Sequence, residues 1–315
     1  MRLATFSAGG APRVGARTDG GQIVDLNAAY YAAGKAKGQP VTEAQANAAV
    51  PPEMVAFLSA GEGALEAARD VLKFVAEAGS SVTGPWGSRV VFEEGEVRLL
   101  SPLLRPSKII GIGLNYRDHA EEQGARIPKA PMIFAKFPTS LIGASEPIVY
   151  PKVTQQLDWE AELAFVIGKT GKDIPVEQAF DYIVGYTIFN DMTARDIQLS
   201  DRQWLRGKSP DAITPVGPYL VTKDEVPNPG NLAVKAWVNG ELMQDSRTDQ
   251  LIFDIPYLVN FLSSAFTLEP GDIIATGTPG GVGFAREPAI FMNVGDRVKC
   301  EVEGLGSIEN EVVAS

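Results

Sequence analysis

The chain holds a single cysteine, Cys300, in 315 residues, so no disulfide can form within it. A reducing compartment is the expectation that follows. Histidine is equally scarce: His119 is the only one. No run of lysine and arginine exists, and the formal net charge is −11, which excludes the basic stripe of a nucleic-acid binder. No apolar stretch approaches the roughly 20 residues that a membrane helix needs. The N-terminus, MRLATFSAGGAPRVG, lacks a continuous apolar core and is not read as a signal peptide. A cytoplasmic location is therefore expected, with no membrane partner.

What is present is an ordinary globular composition, 45% hydrophobic and 21% charged. Its 32 glycines and 22 prolines exceed a sixth of the chain, favouring many short strands and tight turns over a helical bundle. The length predicts two domains or one large and one small. An acidic chain that binds a small anion must carry local positive charge or a metal to do so.

The first hundred residues read as a small α/β unit. Strands are expected at 3–6, 13–17 and 22–25, and helices at 28–36 and 52–58, the latter with a proline in its first turn. A longer helix at 62–78 repeats Leu65, Ala68, Val71, Leu72 and Val75 at helical spacing and stops at Gly79. Strands follow at 89–93 and 96–100, and the proline-bearing segment 101–107 is taken as the boundary between a 1–100 extension and a 101–315 domain. Beyond it come short β-like runs at 108–113, 132–136, 159–167, 182–189, 219–222, 233–238, 272–276 and 297–302. Turn residues such as Asn239-Gly240 separate them. With no strand–helix alternation, a doubly wound sheet is not expected; a β-rich α+β roll or barrel is.

Chemistry concentrates in four places. In Asp158-Trp159-Glu160-Ala161-Glu162-Leu163-Ala164, Glu160 and Glu162 share one face of a strand within an apolar setting. Two such carboxylates resist joint ionisation, and a hard divalent cation, Mg²⁺, Mn²⁺ or Ca²⁺, relieves them. Taken alone, this pattern is more often an edge strand with wet or arginine-paired glutamates. Asp191, ending the apolar strand 185–190, is a third acid able to join them. Asp196 is read as structural, paired with Arg195 or capping a turn.

If 117–123 is helical, His119 and Glu122 touch at i,i+3, and the carboxylate fixes the tautomer of a general base; the alternative is a surface histidine on a wet helix. Lys208, in Arg206-Gly207-Lys208-Ser209, offers a cation to a substrate carboxylate or enolate, or is a surface lysine. The loop Thr276-Gly277-Thr278-Pro279-Gly280-Gly281 offers backbone N–H groups and hydroxyls to an anion, or is only a flexible turn.

Together these stretches resemble the fumarylacetoacetate hydrolase family, in its acylpyruvase-like and hydroxyhepta-diene-dioate isomerase-like branch. The matching motifs are GIGLNYRDHAEE (111–122), PMIFAKFPTSLIG (131–143), DWEAELAFVIGK (158–169), GYTIFNDMTARDIQ (185–198), RGKSPDAITPVGP (206–218), VNGELMQDSRTDQLIF (238–253) and LEPGDIIATGTPGGVG (268–283). The resemblance implies a mixed β-roll catalytic domain, a homodimer, and Mg²⁺ or Mn²⁺ on Glu160, Glu162 and Asp191, with Ca²⁺ as a substitute. It implies a His119–Glu122 dyad that activates water, a catalytic Lys208, and substrate contacts from Tyr116, Gln198, Gly277 and Thr278. The implied reaction is hydrolysis of the C–C bond of a 2,4-dioxo acid (an acylpyruvate, fumarylpyruvate or 2,4-dioxo-3-deoxy sugar acid) to pyruvate and an acid. Oxaloacetate decarboxylation and 2-hydroxyhepta-2,4-diene-1,7-dioate isomerisation use the same metal-stabilised enolate and remain alternatives. A non-enzymatic alternative has the three acids hold Ca²⁺ for structure alone.

Overall fold

The computed structural model describes residues 1–39 and 41–315. Its frame is a twelve-stranded mixed sheet whose main path runs, in spatial order, through Val91–Glu93, Gln22–Asp25, Arg13–Arg17, Arg2–Ser7, Thr214–Thr222, Ile183–Asn190, Ala161–Ile167, Ile273–Ala275, Ile109–Gly113 and Met132–Ala135. Strands from the first hundred residues thus extend the same sheet: Arg2 pairs with Val221 and Leu3 with Leu220. A second sheet of five strands contains Glu241–Arg247, Ala233–Val238, Arg297–Val302, Gly306–Val313 and Ile148–Val149. Among the described residues neither sheet closes into a barrel, so the fold is a β-rich α+β roll.

The Ala161–Ile167 strand lies at the centre, and every one of its residues is buried. Its alternation sorts two cores. Leu163, Phe165 and Ile167 pack with Val234, Ala236, Val298 and Cys300 of the second sheet. Ala164 and Val166 belong to the opposite cluster, with Met54, Phe57, Leu65 and Ala68 from the N-terminal helices. A strand covered on both faces has no solvent side, and for this reason it reads as a continuous apolar run. Glu162 shares the parity of Ala164 and so emerges where that second face ends.

Local chemistry moved several boundaries. The helix expected at 52–58 is Met54–Ser59, because Glu53 accepts from the backbone of Val55 and Ala56 and acts as N-cap, leaving both prolines outside. Glu43–Ala49 is a further helix, opened by a Thr42–Gln45 capping box. Ile255–Ala265 is another, capped by Asp254, with Ile255, Leu258, Val259 and Leu262 on its buried stripe. The strand expected at 96–100 shrinks to Arg98–Leu99 behind a 3₁₀ turn. That expected at 219–222 grows to Thr214–Thr222 despite its two prolines.

Phe165 is fully buried between the sheets, so Phe165→Ala should cost about 3–5 kcal/mol, read as a lower urea midpoint with unchanged slope. A loss below about 1 kcal/mol would show that the sheets are not locked together at this side chain.

Candidate active site

Antiparallel pairing of Ala161–Ile167 with Ile183–Asn190 sets the register, with Ala161 opposite Asn190. Glu160 and Asp191 then leave the two strands side by side: Asp191 donates its backbone N–H to the Glu160 carbonyl at 2.8 Å, and the Asn190 side chain accepts from the Glu160 N–H at 3.0 Å. One oxygen from each of Glu160, Glu162 and Asp191 lies within 4.8 Å of the others, and all three residues are buried. Gly277 donates its N–H to Glu162 Oε2 at 2.8 Å. It does so at φ 103°, where an added Cβ would come within 2.8 Å of Asn115 Cβ, so only glycine serves there.

Positive charge surrounds this cluster. Lys208 Nζ bridges Glu160 Oε2 at 2.6 Å and Asp191 Oδ2 at 2.5 Å. Lys136 Nζ reaches Asp191 Oδ1 at 2.7 Å. Arg195 donates to Asp158 at 2.8 Å and places Nη2 2.5 Å from Glu160 Oε1, an ion pair whose angle falls outside that of a directed hydrogen bond. Burial alone raises Glu160, but Arg195 and Lys208 outweigh it and hold the group at about 2. Glu162 goes the other way: burial, then the charges of Asp191 and Glu160, push it well above the ordinary carboxylate range. Burial lowers Lys208, yet Asp191 and Glu160 more than compensate and raise it; for Lys136 burial wins and the group is lowered. The acid side chains of Asp158, Glu160 and Asp191 thus face the basic side chains of Lys136, Arg195 and Lys208.

The donor set fits a divalent metal. Three carboxylates converge on buried oxygens with no nitrogen or sulfur among them, which suits a hard cation. The Lys208 ammonium between Glu160 and Asp191 shows that these oxygens already enclose positive charge.

A cavity of about 150 Å³ opens on the cluster, lined among others by His119, Glu160, Glu162, Gln198, Lys208 and Thr278. His119 is buried. Its Nδ1 lies 3.2 Å from Glu122 Oε2, and its Nε2 lies 2.7 Å from Gln123 Nε2. An amide nitrogen is a donor, so Nε2 is the accepting nitrogen and Nδ1–H points to Glu122. Gln198 accepts from Arg195 Nη1 at 3.0 Å, which leaves its amide N–H groups for a ligand. Thr278 donates to the Ala161 carbonyl at 3.0 Å and accepts from Gln244 at 2.8 Å. Tyr116 is fully buried with an unpartnered hydroxyl and does not line the cavity. Glu122 and Gly277 stand behind the lining, each holding a residue that reaches it.

Sequence reasoning missed Lys136, Arg195 and Gln123. Asp196, expected to pair with Arg195 or to cap a turn, does the second, accepting from Thr154 and from the backbone of Gln155 and Ile197, while Arg195 turns inward to Asp158 and Glu160. A buried carboxylate cluster demands nearby cations, and the unassigned basic residues inside the motifs 131–143 and 185–198 were the available signal.

The family model described as fumarylacetoacetate (FAA) hydrolase, C-terminal, matches residues 108–313. Oxaloacetate tautomerase fahd2, mitochondrial, of Xenopus laevis is 43% identical over 99% of this chain and 90% of its own length. Fumarylacetoacetate hydrolase from Exiguobacterium antarcticum superposes with a TM-score of 0.78 at 32% identity, covering both chains completely. Maleylpyruvate hydrolase from Sphingobium sp. SYK-6, solved with manganese(II) and pyruvate, gives 0.74 at 29% identity with the same full coverage. The mitochondrial relative overturns the cytoplasmic expectation. That expectation rested on a missing apolar leader, and organelle targeting segments are amphipathic and arginine-rich instead.

Burial and the neighbouring acids favour the protonated form of Glu162, so a metal there would compete with a proton and its affinity should rise with pH. Calorimetric titration with Mn²⁺ in two buffers of different ionisation enthalpy should show release of about one proton per ion; buffer-independent heats would remove Glu162 from the ligand set.

Proposed function

The chain belongs to the fumarylacetoacetate hydrolase family, and on that premise we propose that it is a metal-dependent enzyme interconverting the enol and keto forms of a short 2-oxo acid, oxaloacetate. The observation that carries this reading is the meeting of an accepting imidazole nitrogen, a buried ammonium and a three-carboxylate cluster on one small cavity. The relative named as an oxaloacetate tautomerase over nearly the whole chain supports the choice of reaction. Glu160, Glu162 and Asp191 would hold Mg²⁺ or Mn²⁺, both suited to oxygen donors, and Ca²⁺ would substitute. The metal, when bound, supplies charge that stabilises a 2-oxo enolate.

The chain's own groups then account for the proton traffic. In the enol-to-keto direction His119 Nε2, exchanging the Gln123 amide for substrate, would take the enol hydroxyl proton to leave the enolate and then return that proton to C3; the reverse direction runs the same transfer backward. Glu122 receives Nδ1–H in both directions and offsets charge on the ring. Lys208 adds fixed positive charge beside the enolate. The free amide of Gln198 and the guanidinium of Arg195 offer donors to a carboxylate. Residues 101–315 are taken as the catalytic unit, 1–100 as an extension that covers one sheet face, and the assembly as a homodimer.

Hydrolysis of a 2,4-dioxo acid is the second reading. It is favoured by the His119–Glu122 pair, which would activate water equally well, and by the maleylpyruvate hydrolase neighbour. Decay of enol-oxaloacetate, followed by its ultraviolet absorbance with Mg²⁺ or Mn²⁺, separates the two when run beside pyruvate release from a panel of acylpyruvates. The wild type should accelerate ketonisation, and His119→Asn should slow it about 10²–10⁴-fold while leaving metal affinity unchanged. Faster cleavage of an acylpyruvate than ketonisation of oxaloacetate would give the second reading precedence.

A further inference from the structure

Beside the catalytic cavity runs a second hollow of about 480 Å³, lined by Met132, Ile133, Phe134, Ala135, Trp204 and Leu205 among others. Met132, Phe134 and Trp204 line both spaces, so these side chains are the wall between them. The wall is built by close approach. An added Cβ on Gly113 would lie 2.3 Å from Trp204 Cζ3, and one on Gly111 would lie 2.2 Å from Phe134 Cζ. The two glycines of the Ile109–Gly113 strand therefore make room for the two rings. Those rings meet each other at 5.4 Å and 59°, and Lys208 Nζ lies 4.8 Å from the centre of Phe134.

Trp204 is held there from outside the site. It sits between the helices Arg195–Asp201 and Leu205–Lys208. Arg202 ends the first helix at φ 59°, a left-handed turn that costs a residue with a Cβ about 1–2 kcal/mol. A two-point ion pair from Arg206 to Asp201, at 2.5 and 2.6 Å, closes the turn. Neither residue lines the catalytic cavity.

We propose that Trp204 is a specificity-determining residue that confines the substrate to short 2-oxo acids, and that the apolar hollow behind it is the space a longer apolar chain would enter if the indole were removed. This rests on the reading of the site as one that binds a 2-oxo acid, and deepens it to a chain-length limit. The chemistry follows from the surfaces: the cavity side carries the charged cluster, and the hollow side carries mainly aliphatic and aromatic groups. A 2-oxo acid head on the first side with a straight apolar tail would find matching surface on the second through the wall that Met132, Phe134 and Trp204 form, of which the indole is the largest side chain.

The test uses the full chain loaded with Mn²⁺ and two probes in titration calorimetry, oxalate for the head alone and 2-oxooctanoate for head plus tail. Trp204→Ala should tighten 2-oxooctanoate about tenfold or more and change oxalate by less than about twofold, with Trp204→Leu giving a smaller gain in the same direction. Unchanged oxalate binding also shows that each variant has kept its folded site. Equal oxalate affinity with no gain for 2-oxooctanoate in either variant overturns the partition alone. Failure of the wild type to bind oxalate overturns the reading of the site, and the partition falls with it.

Discussion

Three carboxylates within 4.8 Å of one another in a buried setting cannot all stay ionised without positive charge among them. Strand pairing creates this problem and fixes its position. The register that sets Ala161 against Asn190 leaves Glu160 and Asp191 adjacent where both strands end, with Glu162 two residues inside. A slip of one residue would carry Glu162 to the opposite, wholly apolar face. The two cores that grip the central strand therefore also hold the site in place: Leu163 and Phe165 on one side and Ala164 and Val166 on the other permit only one orientation.

The balancing charge arrives from three directions. Lys136 follows the edge strand Met132–Ala135, Arg195 begins a helix, and Lys208 ends the next. Each is buried, and each would be costly to bury without the carboxylates, as the carboxylates would be without them. The cluster is thus interdependent across more than 70 residues of chain, from Lys136 to Lys208. Lys208 has a double place in it. Its ammonium bridges Glu160 and Asp191, and its side chain also lines the cavity, so one residue serves the integrity of the cluster and faces whatever anion enters.

Much of the frame was legible because period and composition carry it. The run expected at 159–167 is the buried strand Ala161–Ile167, and Asn239-Gly240 marked the turn after 233–238, although its partner strand Glu241–Arg247 was not expected. Ile255–Ala265 escaped notice although Asp254 and the stripe Ile255, Leu258, Val259, Leu262 satisfied every helix criterion, because the surrounding β-like runs set the expectation. Thr214–Thr222 was cut short because Pro215 and Pro218 count against a strand. At the site, the acids were legible from their spacing on one strand and the apolar residues beside them. Of their cationic partners only Lys208 was: Lys136 and Arg195 look like any basic residue at an element end, and only tertiary contact buries them. Gln123 lay one turn from His119, within reach of an i,i+4 reading, yet nothing in the sequence marks which nitrogen of the ring it meets.

Tautomerisation, decarboxylation and C–C hydrolysis share the enolate of a 2-oxo acid, so the carboxylate cluster by itself does not choose among them. The choice belongs to what stands on the other side of the cavity. Hydrolysis needs a water between the base and a second carbonyl, and room for the acyl group that leaves; tautomerisation needs only one accepting nitrogen near C3. His119, with Nε2 on the Gln123 amide, lines a space of about 150 Å³ that Met132, Phe134 and Trp204 also line. On the proposed reading an enolate needs only the fixed charges already present at the cavity, whereas hydrolysis would also need room for a bound water and the departing acyl group. On that same reading, the metal and its ligands would supply what these reactions have in common, and the other residues lining the cavity the discrimination.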